Sequence, residues 1–341
     1  RAHRAAALLV AACDRQLAAN LYGVSEPRVA LKARHRLGFA AYERPGELSG
    51  SALLGHPAAL AAYAHAIVRG AVTEGLAYVE LRGSPQKYGD ALIFLRAFRA
   101  ALVDAAASLP AERQPRFRFT IIADRRDRES IDGVVALAVA AKEALPHFIA
   151  GLDLAGDEGT TRPEEIAPSF TRAFEVCLPV TIHAGEGEKA DAIWQAAYHL
   201  HADRIGHGLT LGEHQQLATR FRDRGICLEL CPTSNREVVG FHDPVVPESA
   251  GLPEYPLAAL WAQGLPLTLC TDNPGIARTT LSGEFLAAAR MSPAGLRVWD
   301  ALAMIKQGFV HAFLPSDEKE RLLKRADAAV YRSVLDRFDA A

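Results

Sequence analysis

The alternation of strand-like and helix-like segments constrains the fold of this chain more than any other feature. From residue 75 to the end, short apolar runs alternate with longer Ala- and Leu-rich segments. Strands that are separated by helices pair in parallel through right-handed crossovers. We expect such strands to be apolar on both faces, because helices cover a sheet of this kind. The seven strands that we predict are Ala77–Leu81, Phe117–Ile122, Ile149–Leu154, Pro179–His183, Arg204–His207, Ile226–Cys231 and Leu265–Thr271.

The connecting segments have helical spacing. Five of them are predicted as helices: Asp90–Ala107, Ile131–Ala144, Lys189–His201, Glu213–Arg224 and the closing Pro315–Phe338. Residues 1–74 also read as helical, with Arg4–Leu21 and Pro57–Glu74 as the two clearest segments. No linker or repeat interrupts the chain, so we expect a single domain over residues 1–341, with residues 75–341 forming the barrel and its C-terminal helices.

The strand count falls one short of a closed barrel. A (β/α)8 TIM barrel has eight strands, whereas the pattern predicts seven. The missing strand is the first, because residues 1–74 contain no convincing strand before Ala77. We favour a first strand supplied by sequence upstream of Arg1; an open barrel and an overlooked strand are the alternatives.

Composition limits the classes of function. The chain has 341 residues, of which 50% are hydrophobic and 23% are charged, and its net charge is −2. Without a basic excess, neither duplex nucleic acid nor an anionic membrane surface is an expected partner. The five cysteines are odd in number, and three of them lie in or beside apolar strands. This pattern favours reduced, buried thiols and a cytoplasmic location over a disulfide framework.

Chemically active side chains follow several predicted strands. His183, His207 and Asp272 end three strands, and Glu186 follows His183 by three residues. The carboxyl ends of barrel strands meet at one mouth, where such enzymes build their active sites. A neutral His183 imidazole and an Asp272 carboxylate suit Zn²⁺, His207 suits a second ligand or a base, and Glu186 suits a general acid or base. A hydrogen-bonded structural His and a carboxylate at a helix N-terminus are the alternatives.

Another group of polar residues follows the strand Ile149–Leu154. Asp153 or Glu158 could be catalytic there, while solvation of the loop or helix capping also accounts for Asp157 and Glu158. Gly156 in the same loop permits close approach of a backbone N–H to a ligand.

Taken together, these motifs resemble the adenosine deaminase family of the amidohydrolase superfamily. The segments that carry the resemblance are Tyr78–Pro85, Asp153–Glu158, His183–Glu186, Arg204–Gly208, Thr271–Pro274 and Phe313–Pro315. The resemblance implies a (β/α)8 barrel of amidohydrolase type with one Zn²⁺ per site. It also implies hydrolytic replacement of a purine 6-amino group by oxygen.

The resemblance assigns roles to particular residues. His183 and Asp272 look like zinc ligands, Glu186 like the donor of a proton to purine N1, and His207 like a base or electrostatic partner of the attacking water. Gly156 would offer its backbone N–H to purine N3.

Two departures from the family pattern stand out. The family's first strand carries a His-x-His pair that supplies two zinc ligands, and no such strand is predicted in these 341 residues. With His183 and Asp272 alone, zinc would be undercoordinated. Asn273 stands where the family usually has Asp; its amide can still donate to purine N7.

These observations lead to one expected function and two alternatives. We expect zinc-dependent deamination of adenosine or an adenine nucleotide to an inosine-type product and ammonia. The alternatives are a metal-free, inactive barrel that acts as a binding or scaffold module, and another amidohydrolase activity. The expected partner is a small-molecule purine nucleoside or nucleotide; an upstream domain and homo-oligomerisation are further expectations.

Overall fold

The computed structural model describes residues 53–339, and these form a curled parallel sheet with helices on its outer face. The seven predicted strands are all present: β1 (Tyr78–Gly83), β2 (Arg116–Asp124), β3 (Ile149–Ala155), β4 (Val180–Ala184), β5 (Arg204–His207), β6 (Cys227–Leu230) and β7 (Leu267–Leu269). Their spatial order follows the chain, β1-β2-β3-β4-β5-β6-β7, and every neighbouring pair is parallel. The α/β barrel architecture predicted from the alternation is therefore confirmed.

Helices connect the strands and cover the outer face of the sheet. Their bounds are α1 (Pro57–Thr73), α2 (Ala91–Ala106), α3 (Ile131–Ala144), α4 (Pro163–Glu175), α5 (Ala190–His199), α6 (Gln215–Arg224), α7 (Pro232–Val238), α8 (Leu257–Ala262), α9 (Pro274–Ala277), α10 (Leu281–Met291), α11 (Val298–Val310) and α12 (Ser316–Asp339). The predicted helix Arg4–Leu21 lies outside the described residues. In residues 53–339 no helix combines the length and the apolar character that a membrane span requires.

The last strand is shorter than its apolar run predicts. Pro266 has no N–H to donate to a ladder, and β7 begins after it, at Leu267. At the other end, Asp272 has a φ of +52°, which is incompatible with extended backbone. An apolar stretch of seven residues therefore yields a strand of three.

The expectation that both faces of the sheet are apolar is correct only for the outer face. Outward side chains such as Leu152, Ile182 and Leu228 are fully buried against the helices. The inward face carries a linked network of five charged residues, which we call the interior charge ladder: Glu80, Arg82, Asp153, Arg204 and Glu229. In a closed or nearly closed barrel the inward face packs only against itself, so complementary charges can replace apolar contacts there.

Glu229 lies at the centre of the ladder. Its Oε1 is 2.8 Å from Nε of Arg204, and its Oε2 pairs with the guanidinium of Arg82. Arg82 reaches Asp153 at 3.2 Å, and Arg204 reaches Glu80 at 2.5 Å. Burial alone would raise the pKa of Glu229, but the two guanidinium groups outweigh it and lower that pKa to about 2.

The interior is closed at its amino end by the segment that follows α11. The backbone N–H of Phe313 donates to Glu80 at 2.7 Å, and the Phe313 ring lies 3.5 Å from Cζ of Arg204. The carbonyl of His311 accepts from Arg204 at 2.8 Å. These contacts fix the lower end of the interior charge ladder, and the upper end reaches the strand termini where the polar motifs lie.

The sheet is open between its first and last strands. Within residues 53–339, β1 pairs with β2 and β7 pairs with β6, and no strand joins β1 to β7. Helix α11 packs against β7 beside this opening. The gap lies where the first strand of an eight-stranded barrel would pair with both edges, in agreement with the strand missing from the sequence pattern.

Candidate active site

The strand ends bring four of the predicted site residues together at one mouth of the barrel. The rings of His183 and His207 have centroids 5.0 Å apart, and Oε1 of Glu186 lies 3.6 Å from Nδ1 of His207. The Asp272 carboxylate is close enough to raise the pKa values of both His183 and Glu186. Residues separated by up to 89 positions in the chain therefore share one electrostatic site.

His183 is held by the top of the interior charge ladder. Its Nδ1 lies 3.0 Å from Oδ1 of the fully buried Asp153. Burial disfavours the charged imidazole, but the adjacent Asp153 carboxylate outweighs this and raises the pKa of His183 to about 9. An ionised carboxylate only accepts hydrogen bonds, so Nδ1 is the donor and Nε2 is left for the site. Gly206 makes room for the ring, because a Cβ there would lie 3.3 Å from it.

A carboxylate clamps the turn that carries Glu186. Glu158 accepts hydrogen bonds from the backbone N–H groups of Gly185 and Glu186, both at 2.8 Å, and from that of Gly187 at 3.4 Å. Gly185 has a φ of +72°, which glycine adopts without strain. Asp157 is exposed, and its carboxylate accepts from the backbone N–H of Gly159 in its own loop at 3.0 Å. Glu158 therefore holds the turn that carries Glu186, which is neither solvation of the loop nor simple helix capping, and a catalytic role for Glu158 stays a prediction.

The Glu186 carboxyl itself is mostly shielded from solvent, with its side chain 14% exposed. Burial raises its pKa, the His207 imidazole opposes the shift, and the Asp272 charge reinforces it. A carboxyl group that keeps its proton to higher pH is suited to act as a general acid.

Two of the site residues have strained backbone. His207 ends β5 with a φ of +66°, and Asp272 follows β7 with a φ of +52°. Non-glycine residues in the left-handed region cost about 1–3 kcal/mol each and cluster at functional sites.

The remaining predicted residues lie at the same rim. Asn273 is exposed, and its amide donates to Oδ1 of Asp272 at 3.0 Å, while the Ser234 hydroxyl donates to Oδ2 at 2.6 Å. Gly156 follows β3 with a φ of +94°, and a Cβ there would lie 2.5 Å from Oδ1 of Asp124. The positive φ and this contact both favour glycine at residue 156.

The described residues do not by themselves fit a zinc ion. His183 and Asp272 are the two predicted ligands. Within residues 53–339 no group of three or more His, Cys, Asp or Glu side chains is arranged to hold a metal. Catalytic zinc sites use three protein ligands and a fourth position for water. The described part of the chain thus supplies an incomplete ligand set.

Sequence reasoning assigned no role to Arg82, Glu229 or Asn235. For the first two a signal existed: charged residues stand at alternate positions of otherwise apolar strands, which places them on one face. Asn235 belongs to the polar segment after β6, and nothing local distinguishes its fully buried amide from its neighbours.

Comparison with known proteins agrees with this architecture. The adenosine deaminase family model matches residues 24–329. An adenosine deaminase from Serratia proteamaculans is 32% identical over 278 residues, covering 80% of this chain and 79% of that protein. An adenine deaminase from Mesorhizobium japonicum is 30% identical over 258 residues, covering 75% of each.

Solved structures show the same fold. A zinc-bound amidohydrolase from Burkholderia ambifaria superposes with a TM-score of 0.70 at 22% identity, covering 91% of this chain and 87% of that one. An Arabidopsis ADAL structure in complex with GMP has a TM-score of 0.71 at 22% identity, covering 88% and 86%. The family match extends over most of the chain, and the chain therefore belongs to the adenosine deaminase family, hydrolases of C–N bonds in cyclic amidines.

Proposed function

We propose that this protein deaminates adenosine or an adenine nucleotide hydrolytically, giving the inosine-type product and ammonia with the help of Zn²⁺. The observation that carries the proposal is the convergence of His183, Glu186, His207 and Asp272 at one mouth of the barrel. Such a hydrolysis requires a proton donor close to groups that bind and orient the attacking water, and Glu186, with its raised pKa, lies beside two imidazoles and a second carboxylate.

The chain's own residues then take the following roles. Glu186 gives a proton to purine N1, which makes C6 electrophilic. His207 faces the water whose oxygen bonds to C6. One proton of that water passes to the amino group, which leaves as ammonia when the C6–N bond breaks, and the other returns to the Glu186 carboxylate. The backbone N–H of Gly156 binds purine N3, and the Asn273 amide exchanges its contact with Asp272 for purine N7.

Zinc is part of the proposal, with His183 and Asp272 as two of its ligands. The ligand set is incomplete in residues 53–339, so further ligands must come from outside this part of the chain. The zinc-bound amidohydrolase of similar fold supports the choice of metal. Zinc content of the purified protein by mass spectrometry tests this: a stoichiometry well below one per chain refutes it.

The substrate is proposed from the relatives, whose names include adenosine and adenine deaminases, and from a fold relative in complex with GMP. The experiment offers adenosine, adenine, AMP and ATP to the zinc-supplemented protein and follows purine absorbance and ammonia release. Turnover of adenosine or a nucleotide supports the proposal. Failure of all four substrates in zinc-loaded protein overturns it.

The proton-donor role of Glu186 has its own test. Glu186→Gln keeps the shape of the side chain but cannot hand over a proton. We expect a loss of turnover of at least about 100-fold with unchanged circular dichroism. Glu188→Gln is the matched control, because Glu188 is exposed two residues further along the same loop. Retained activity in Glu186→Gln rules out the acid role.

A metal-free binding or scaffold barrel is the second candidate, favoured by the incomplete ligand set in residues 53–339. Purine binding measured by calorimetry without turnover or zinc would support it. We also propose a cytoplasmic location, since the four cysteines in the described region are free thiols.

A further inference from the structure

A single buried amide connects the proposed acid to the proposed water-facing imidazole. Asn235 lies in α7, immediately after β6, and has no exposed surface. Its side chain has four polar neighbours, two on each end of the amide. Because Asn235 has no exposed surface, it acts through these neighbours.

Two donors identify the oxygen end of this amide. The backbone N–H of Cys231 donates to Oδ1 at 3.1 Å, and the hydroxyl of Tyr255 donates to it at 2.9 Å. A backbone N–H can only donate, so the amide atom that faces it must be the oxygen. The reverse orientation would set an NH₂ group against the N–H of Cys231 and leave both unsatisfied in a buried site.

The nitrogen end therefore faces the catalytic pair. Nδ2 lies 3.1 Å from Oε1 of Glu186 and 2.9 Å from Nδ1 of His207. An amide nitrogen carries two hydrogens and accepts none, so each hydrogen has one acceptor. Nδ1 of His207 must offer its lone pair, which places the ring hydrogen on Nε2. Oε1 of Glu186 likewise accepts, which leaves Oε2 to carry the carboxyl proton.

We propose that Asn235 is a positioning residue that fixes His207 in its Nε2–H tautomer and orients the Glu186 carboxyl at the same time. His207 then presents an N–H donor to the mouth, and it binds the incoming oxygen as a hydrogen-bond donor instead of receiving its proton in the resting state. This inference rests on the proposed function for the roles of the two residues, but the tautomer itself follows from the hydrogen-bond pattern alone.

The first test needs neither substrate nor turnover. Nitrogen-15 and carbon-13 NMR of the full chain, with the His207 signals assigned by their absence in His207→Gln, reports which ring nitrogen carries hydrogen. We expect the Nε2–H tautomer. An Nδ1–H or doubly protonated ring in the wild-type protein overturns the proposal, whatever the outcome of the activity assays.

A variant tests the causal role of Asn235. In Asn235→Asp one oxygen still accepts from Cys231 and Tyr255, but the other cannot donate, so the hydrogen of His207 should move to Nδ1. We expect turnover to fall by about 100-fold or more with KM within a few-fold of wild type. Tyr255→Phe is the control, because the N–H of Cys231 still fixes the amide and the Nε2–H tautomer should persist.

The outcomes separate positioning from mere packing. An Nε2–H tautomer in Asn235→Asp, or a change confined to thermal stability, shows that the amide only packs and refutes the proposal. If Asn235→Asp does not fold, a switched tautomer in Tyr255→Phe would refute the orientation argument, and the wild-type spectrum stays decisive. If the protein has no deaminase activity at all, the proposed function fails while the tautomer measurement still stands or falls separately.

Discussion

Replacing Glu229 by Gln tests whether the interior charge ladder holds the barrel together. The side chain is 5% exposed and pairs with the guanidinium groups of Arg82 and Arg204, while Thr181 donates to it at 2.9 Å. Glutamine has the same shape but no charge, and its NH₂ group would face a cation. Removing one partner of a buried ion pair costs about 3–5 kcal/mol when the charge left behind is uncompensated. Here Arg82 keeps Asp153 and Arg204 keeps Glu80, so we expect the lower end of this range, about 3 kcal/mol.

The pKa of Glu229 gives a separate measure of the same interaction. The folded state lowers it from 4.5 to about 2. A depression of this size corresponds to about 3 kcal/mol of stability, which is present above pH 4.5 and disappears as the pH falls towards 2. The stability difference between wild type and Glu229→Gln should therefore be full at pH 7 and shrink steadily below about pH 4.5.

Denaturant unfolding followed by far-ultraviolet circular dichroism measures both effects. In thermal unfolding of a chain of 341 residues, a loss of about 3 kcal/mol corresponds to a fall of about 4 °C in Tm. Glu320→Gln is the matched control, since Glu320 forms an exposed pair with Lys324 on α12 and its removal should leave the midpoint unchanged. A loss below about 1 kcal/mol for Glu229→Gln, or a difference that does not vary with pH, would refute the reasoning.

Three further substitutions test the Glu158 contacts, the space around Gly185 and the titration of His311. Glu158→Gln should lower turnover by about 10-fold and stability by about 1–2 kcal/mol, because an amide satisfies the clamped N–H groups less well, whereas Asp157→Asn in the exposed part of the loop should change neither. Gly185→Ala should cost about 1–3 kcal/mol more than Gly75→Ala: both glycines have positive φ, but only the Cβ at 185 would meet a side chain, at 2.5 Å. Burial and neighbouring cations lower the pKa of His311 to about 4, so the unfolded chain takes up a proton first and stability falls as pH drops from about 6.5 to 4; His311→Gln should flatten this part of the curve in pH-dependent unfolding.

Each of these has an outcome that contradicts it. Wild-type kinetics and unfolding in Glu158→Gln would show that the turn holds its shape without the clamp. Equal losses for the two alanine variants would mean that the side chain near residue 185 moves aside at no cost. If the free energy of unfolding depends on pH in the same way with and without His311, then His311 is not the group whose titration lowers stability.

The sequence alone went far towards the fold because the relevant signals are local. An apolar run of four to seven residues next to an amphipathic segment predicts its own structure, and the bounds of α3 and β5 matched the prediction residue for residue. The order of the elements then left a parallel sheet as the simplest topology. The predicted strand count, one short of eight, agrees with the open edge of the sheet within residues 53–339.

The candidate site was predictable only in part. His183, Glu186, His207 and Asp272 could be named because chemically active residues at strand ends meet at one mouth of a barrel. The family resemblance supplied their roles, and the structure supplied their proximity.

The amino-acid sequence by itself determined the order of the helices and strands, the family, and the residues expected at the mouth of the barrel. Only the tertiary structure decided which side chains bond to one another. Glu158 accepts from the backbone of the turn that carries Glu186, Glu229 pairs with two arginines, and the Asn235 amide contacts Glu186, which lies 49 residues earlier in the chain. The physical reason is that secondary structure follows from neighbours along the chain, whereas a hydrogen bond across the barrel depends on strand register and loop geometry fixed to a few tenths of an ångström.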